Sequence, residues 1–219
     1  MNAVDFIRRR TYGSAMVRLT RHNMQSSGLN DLFTSRPNGT IPPQSVDLWN
    51  LYSEVIKYKP QTIVEFGVGY STVVMAEALR RNGAGHLYSI DASQEWLEVT
   101  RSGLPDQVRP FVTLSYSPCE MMSFSGTEAE DCHRYTVIPD TPPIDMILLD
   151  APSAADVPGW PAGEGVVAAD PALLQPRLSN RFRMIIDARE KNTDFLRRHM
   201  TRHRFSTNAL FKITTVTAP

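Results

Sequence analysis

Four acidic residues stand at or near the end of short apolar runs in this chain: Glu65, Asp91, Asp150 and Asp187. The runs are 62–66, 85–91, 143–152 and 182–188. A carboxylate at such a place can attract a cation, accept hydrogen bonds from sugar hydroxyls, ligate a hard metal or take up a proton. The run around Glu65 reads Gln-Thr-Ile-Val-Glu-Phe-Gly-Val-Gly-Tyr-Ser-Thr, so Gly67 and Gly69 follow the acid at once. Glycine there lets the backbone turn sharply and approach a ligand without a Cβ in the way. Glu65 is badly placed for a phosphate and suits a cationic ligand. Tyr70, next in line, can offer its ring face to such a charge.

The four runs are short, apolar and bounded by Gly, Pro or Asp, which predicts strands covered on both faces in a parallel sheet. Asp91 lies 26 residues past Glu65 (91 − 65), room for one helix and one strand. A right-handed crossover of that length brings both strand ends to one edge of the sheet. Ligands of such sheets bind outside the carboxyl ends of the strands, so Asp150 should face the cleft. Ser71 or Thr72 can cap the helix after the turn, and Val73, Val74, Ala76 and Leu79 give it an apolar side. Asp91 also suits the cap of a helix over 92–101. Further helices are expected at 44–57, 171–178 and 192–202, and strands at 108–115, 203–207 and 209–217. The stretch 117–120 reads as a loop, and 123–142 shows no clean periodicity. His133, within it, reads as a surface histidine before a catalytic base. Trp160, in the Gly/Pro/Ala-rich loop 153–170 that follows Asp150 at the cleft, reads as a loop anchor before a ligand contact.

Composition bounds the class. The 219 residues are 42% hydrophobic and 21% charged with zero formal net charge, as in a globular domain without nucleic acid as its main partner. No apolar run approaches the roughly 20 residues of a membrane span. Two cysteines, Cys119 and Cys132, point to a reducing, cytoplasmic setting without a disulfide framework. Residues 1–36 carry six arginines against Asp5 and Asp31, a balance of +4, which leaves −4 on the remainder. Within it 4–19 is roughly amphipathic, with Val4, Ile7, Tyr12, Ala15, Met16 and Leu19 as inward candidates. This predicts a basic helical extension and linker over 1–41 ahead of one domain over 42–219. The extension suits packing on the domain or on a partner subunit of a homo-oligomer. Weak peripheral membrane contact through residues 1–22 is the sharper alternative.

Glu-Phe-Gly-Val-Gly-Tyr-Ser-Thr lacks the third glycine of a dinucleotide turn, since Thr72 holds that position. A nucleotide-dependent oxidoreductase is therefore the weaker reading. The pattern E-x-G-x-G resembles motif I of the class I S-adenosylmethionine-dependent methyltransferases, and is closest in style to small-molecule and sugar O-methyltransferase-like members. The resemblance covers 44–219. It implies an α/β fold with a doubly wound, mostly parallel, Rossmann-like seven-stranded sheet, its last strand antiparallel. It implies S-adenosylmethionine as donor and a small-molecule or glycan acceptor. It assigns cofactor contacts to Glu65, Gly67, Gly69, Tyr70, Ser71 and Asp150, the ribose to Asp91, and the adenine side to Cys119 and Glu120. Asp150 and Asp187 take the catalytic place, and in metal-dependent relatives they would ligate Mg²⁺. Such relatives carry Asp-Asn where this chain has Asp187-Ala188. That departure keeps open a non-catalytic protein that retains the fold for binding or assembly.

Overall fold

The computed structural model describes residues 3–33, 44–124, 130–150, 152–161 and 163–219, with the side chains of 3–12 left aside. The expected linker at 36–43 and the side chains of Val4, Ile7 and Tyr12 thus lie outside the described residues.

The chain runs α1 (Ala3–Ser26), α2 (Ser45–Tyr58), β1 (Thr62–Phe66), α3 (Tyr70–Asn82), β2 (His86–Asp91), α4 (Gln94–Gly103) and β3 (Val112–Tyr116). It continues through β4 (Cys119–Phe124), β5 (Glu130–Tyr135), β6 (Ile144–Leu149), α5 (Asp170–Leu173), β7 (Leu178–Asp187), α6 (Glu190–His199), β8 (Arg204–Asn208) and β9 (Ile213–Thr217). Seven strands form one sheet in the order β3-β2-β1-β6-β7-β9-β8. All pairs from β3 to β7 are parallel, and β9 runs antiparallel to both neighbours. This is the doubly wound, Rossmann-like seven-stranded sheet that the resemblance implies, antiparallel strand included.

Why these runs became the central strands is visible in their burial. Every residue of β1 and β6 is buried. Side chains alternate between the two faces of a strand. Val64, Phe66, Ile147 and Leu149 enter one core, and Ile63, Met146 and Leu148 the other. Each such side chain contributes about 1.5–3 kcal/mol when fully withdrawn from water. At the amino edge, the Asp145 carboxylate accepts from the Gln61 N–H at 2.7 Å, which ties β6 to the entry of β1. Gly85 is required between α3 and β2: its φ is +93°, and a Cβ would stand 2.5 Å from the Pro60 carbonyl oxygen.

Two expectations need correction. The first helix does not end near residue 19; it runs to Ser26. Leu19 is 52% exposed and Ala15 is exposed, while Thr20 and Met24 face inward. Met24, Leu29 and Phe33 join the core shared by α2 and α3. The second correction concerns 117–142. Cys119 and Glu120 belong not to a loop but to β4, which pairs antiparallel with β5 as a separate two-stranded sheet. His133, expected at the surface, is fully buried in β5.

Candidate active site

The glycine turn is built by Glu65. This residue is wholly buried. Its carboxylate accepts from the Ser71 hydroxyl at 2.5 Å, the Thr72 hydroxyl at 2.7 Å and the Ser89 hydroxyl at 2.5 Å. Burial raises its pKa to about 7 even though those three bonds pull it down. Glu65 therefore fixes the first turn of α3 onto β1 and β2 rather than reaching into the cleft. Ser71 and Thr72 were expected to cap the helix; their hydroxyls face Glu65, and Gly69 takes the cap position. Thr72 Oγ1 also accepts from the Gly69 N–H at 3.0 Å. Gly67 has φ +101°, where a Cβ is strained. Around Gly69, a Cβ would meet no protein atom within 4 Å. The Tyr70 ring stands edge-on to Phe33, 5.0 Å between centroids.

Asp91 ends β2 on the same edge and is 5% exposed. Its carboxylate accepts from the Val68 N–H at 2.9 Å and the Ser93 N–H at 2.8 Å. The helix cap expected of Asp91 falls instead to Ser93. A carboxylate has about four acceptor positions, so Asp91 can grip the turn and still receive ligand hydroxyls. Beyond it, the Ser117 N–H donates to the Asp91 carbonyl at 3.0 Å. Cys119 is buried beside Tyr135, its register partner. Glu120, which the resemblance puts on the adenine side, is the next residue of β4 and is exposed. There it is 47% exposed and pairs with Arg134 at 2.6 Å.

The chemistry gathers at β6 and β7. The Asp150 N–H donates to the Phe66 carbonyl at 3.0 Å, which sets this residue at the end of β1. Its side chain reaches solvent from a crowded wall, and its carboxylate oxygens hydrogen-bond to no described residue. Burial raises its pKa to about 7, with the charge of Asp187 adding to the rise and Arg189 opposing it. Asp187, half-buried, is also raised by burial and lowered by Arg189. Asp47, on the first turn of α2, is lifted to about 6 by burial and then by Asp187. Asp91 and Asp47 add to the field on Asp150, and Asp150 to that on Glu65. Asp91, Asp150 and Asp187 thus stand at one edge of the sheet, with Glu65 buried behind them. Neither Arg189 nor Asp47 was singled out from the sequence, because a charged residue on a helix turn makes no pattern. Arg189 donates to the carbonyls of Asp150 and Pro152, the latter at 2.8 Å, and so holds the chain leaving β6.

A model of the methyltransferase domain matches residues 64–188, more than half of the chain. The chain belongs to this methyltransferase family. It is a class I S-adenosylmethionine-dependent methyltransferase, as its motifs implied. No curated protein matches it. Among solved structures, the S-adenosylhomocysteine-bound methyltransferase PaMTH1 of Podospora anserina is 15% identical, covers 100% of this chain and 97% of its own, and has a TM-score of 0.55. The O-methyltransferase of Bacillus cereus, in complex with S-adenosylhomocysteine, is 12% identical over 94% and 91% with a TM-score of 0.51. TomG of Streptomyces achromogenes, an O-methyltransferase solved with S-adenosylmethionine, is 14% identical over 93% and 88%, also at 0.51. At these identities the likeness is one of fold.

The residues of the methyltransferase fit its donor. The space beside Gly69 and the spare acceptor positions of Asp91 lie along one edge, and the Tyr135 hydroxyl is buried without a partner among described residues. To Mg²⁺ they offer only the two carboxylates Asp150 and Asp187. Among the described residues no group of three or more His, Cys, Asp or Glu side chains is disposed to hold a metal. Ala188 adds no ligand, and the Arg189 cation already acts on both Asp150 and Asp187. Burial lowers the His133 pKa to about 3, so its ring is neutral, and neither ring nitrogen has a hydrogen-bond partner among the described residues. Trp160 stands edge-on to it at 6.2 Å. Cys119 and Cys132 are free thiols. No helix among the described residues is long and apolar enough to cross a membrane.

Proposed function

We propose that this methyltransferase methylates an oxygen of a small-molecule or glycan acceptor, with Asp150 as general base and without a metal. When bound, S-adenosylmethionine would supply an electrophilic methyl on a sulfonium, with a neutral thioether as the leaving group. The protein's task is chiefly to hold the two reactants in line, which is worth about 7–11 kcal/mol at its upper end. Gly67, Gly69, Tyr70, Ser71, Asp91 and Cys119 would line the donor side. Glu65 would act behind them by fixing the turn. Asp150 would take the acceptor proton as attack proceeds, and Asp187 would hold the Asp150 pKa up. Arg189 would orient the Asp150 loop.

The observation that carries this reading is Asp150 itself. It is a cleft-edge carboxylate with no hydrogen-bond partner for its oxygens among described residues and a pKa of about 7. A base near the working pH is the efficient kind, adding roughly 10²–10⁴-fold. The O-methyltransferases among the structural neighbours support oxygen as the acceptor atom. The free thiols support a cytoplasmic setting. A pairing of subunits through α1 remains part of the reading.

Calorimetric titration with S-adenosylhomocysteine tests the donor site, and micromolar binding is expected. Production of S-adenosylhomocysteine from a pool of hydroxylated compounds tests transfer. It should rise as pH climbs through 7, since Asp150 must be ionised to accept a proton. Failure to bind S-adenosylhomocysteine would remove the proposal.

A further inference from the structure

A cavity of 420 Å³ lies between α1, α2 and the β8–β9 hairpin. It is within the range of about 300–1,000 Å³ typical of small-ligand sites. Its wall has an unusual make-up. Charged residues are 21% of the chain, yet none of the cavity's twelve lining residues is charged. Two are aromatic, Trp49 and Phe211. Three polar ones, Asn50, Ser53 and Ser206, make no side-chain hydrogen bond to any described residue. Asn208 spends its carbonyl oxygen on the Leu210 and Phe211 N–H groups, so its amide donors stay available.

Hydroxyl and amide groups open to water, beside aromatic faces, suit a ligand with both characters. A sugar ring has an apolar C–H face and an edge of hydroxyls that donate and accept. An anion would find no countercharge in this wall, and a purely apolar ligand would strand the polar groups without water. The cavity also adjoins the reacting rim. Ile213, in its wall, is the register partner of Asp187. Val46, also in the wall, precedes Asp47, whose carboxyl responds to Asp187.

We infer that this cavity binds an uncharged, glycoside-like polyol and presents one of its hydroxyls toward Asp187 and Asp150. Trp49 and Phe211 take the C–H face of the ring. Asn50, Ser53, Ser206 and the Asn208 amide take its hydroxyls. The proton and methyl balance is that of the transfer above, so as an acceptor assignment this rests on the proposed function, while binding to the cavity does not.

The test is saturation-transfer difference NMR on the full chain, with methyl α-glucopyranoside and maltose as neutral probes and glucuronate and glucose 6-phosphate as anionic ones. Saturation is expected for the neutral probes alone. Trp49→Ala and Asn50→Leu should each weaken binding about tenfold, as expected for an anchor residue of a small site, while S-adenosylhomocysteine affinity stays within about twofold. Asn50→Leu carries the test should Trp49→Ala misfold. Silence from both neutral probes in a protein that binds S-adenosylhomocysteine would overturn the inference, as would unchanged binding in both variants. So would a sedimentation result showing a dimer that disperses when Trp49 is replaced, since the wall would then be a subunit contact. Neutral probes that bind where S-adenosylhomocysteine does not would sustain the cavity assignment and remove the methyl-transfer reading instead.

Discussion

Glu65 and Asp150 sit near the ends of adjacent parallel strands, and burial lifts both to a pKa of about 7. Their surroundings make them opposites. Glu65 has no exposure and three hydroxyl donors. Asp150 is exposed on one side and has none among the described residues, with Asp187 and Arg189 pulling it in opposite directions. The first is spent on structure and the second is free for chemistry. A raised carboxylate is thus a poor guide to catalysis until its lone pairs have been counted.

The sharpest way to break the contrast is Asp150→Asn. It should cut turnover by about 10³-fold while leaving S-adenosylhomocysteine affinity within about threefold. The same change should leave the fold intact or stabilise it slightly at neutral pH, because a raised carboxylate is a liability when ionised. A loss of folding would show that Asp150 is structural after all. Next in size is Glu65→Ala, expected to cost about 3 kcal/mol in urea unfolding, since it strands the buried Thr72 and Ser89 hydroxyls and the half-buried Ser71 hydroxyl. Gly69→Val should lower S-adenosylhomocysteine affinity at least about tenfold with a melting temperature shift of only about 2 °C, as the new side chain meets no protein but meets the ligand. Unchanged affinity would move the donor away from the turn.

Smaller effects concern pH. Arg189 lowers Asp150, so Arg189→Met should shift the midpoint of the rate profile upward by about one unit. Glu65→Gln addresses the other acid. Its folded pKa is raised, so between 4.5 and about 7 the folded form holds a proton that the unfolded chain has released. Stability therefore falls as pH rises through that window and levels off above it. The glutamine variant should show a shallower fall, measured by unfolding at pH 5 and 8. An identical slope would mean that Asp150 and Asp170, which is also raised to about 7 by burial, account for it all.

Much of this was legible in the sequence, for a physical reason. Central parallel strands are buried on both faces, so β1 and β6 are written as mostly apolar runs with glycine or acid just past the end. The acids that punctuate them mark the rim. The β4–β5 hairpin was not legible. Met121 is exposed, Met122 half-buried and Cys132 and His133 both fully buried, so no alternation of apolar and polar residues survives. His133 was misplaced for the same reason: a polar stretch surrounds it, yet its N–H bonds the Val167 carbonyl at 2.8 Å inside the fold. Glu120 illustrates the cost of reading a strand as a loop, since in β4 it lies exposed and pairs across the hairpin with Arg134. Arg189 and Asp47 escaped because their importance comes from which distant strand they meet.

Ala188 holds a φ of +49°, and its N–H donates to the Lys212 carbonyl at 3.1 Å. Alanine tolerates that left-handed shape at roughly 1–2 kcal/mol, whereas asparagine and glycine adopt it readily. The backbone at this point is already the mould for an amide side chain. Exchange to asparagine would relieve local torsion and add an oxygen next to Asp187 in one step, so the distance between this rim and a cation-holding one is a single residue rather than a rebuilt loop.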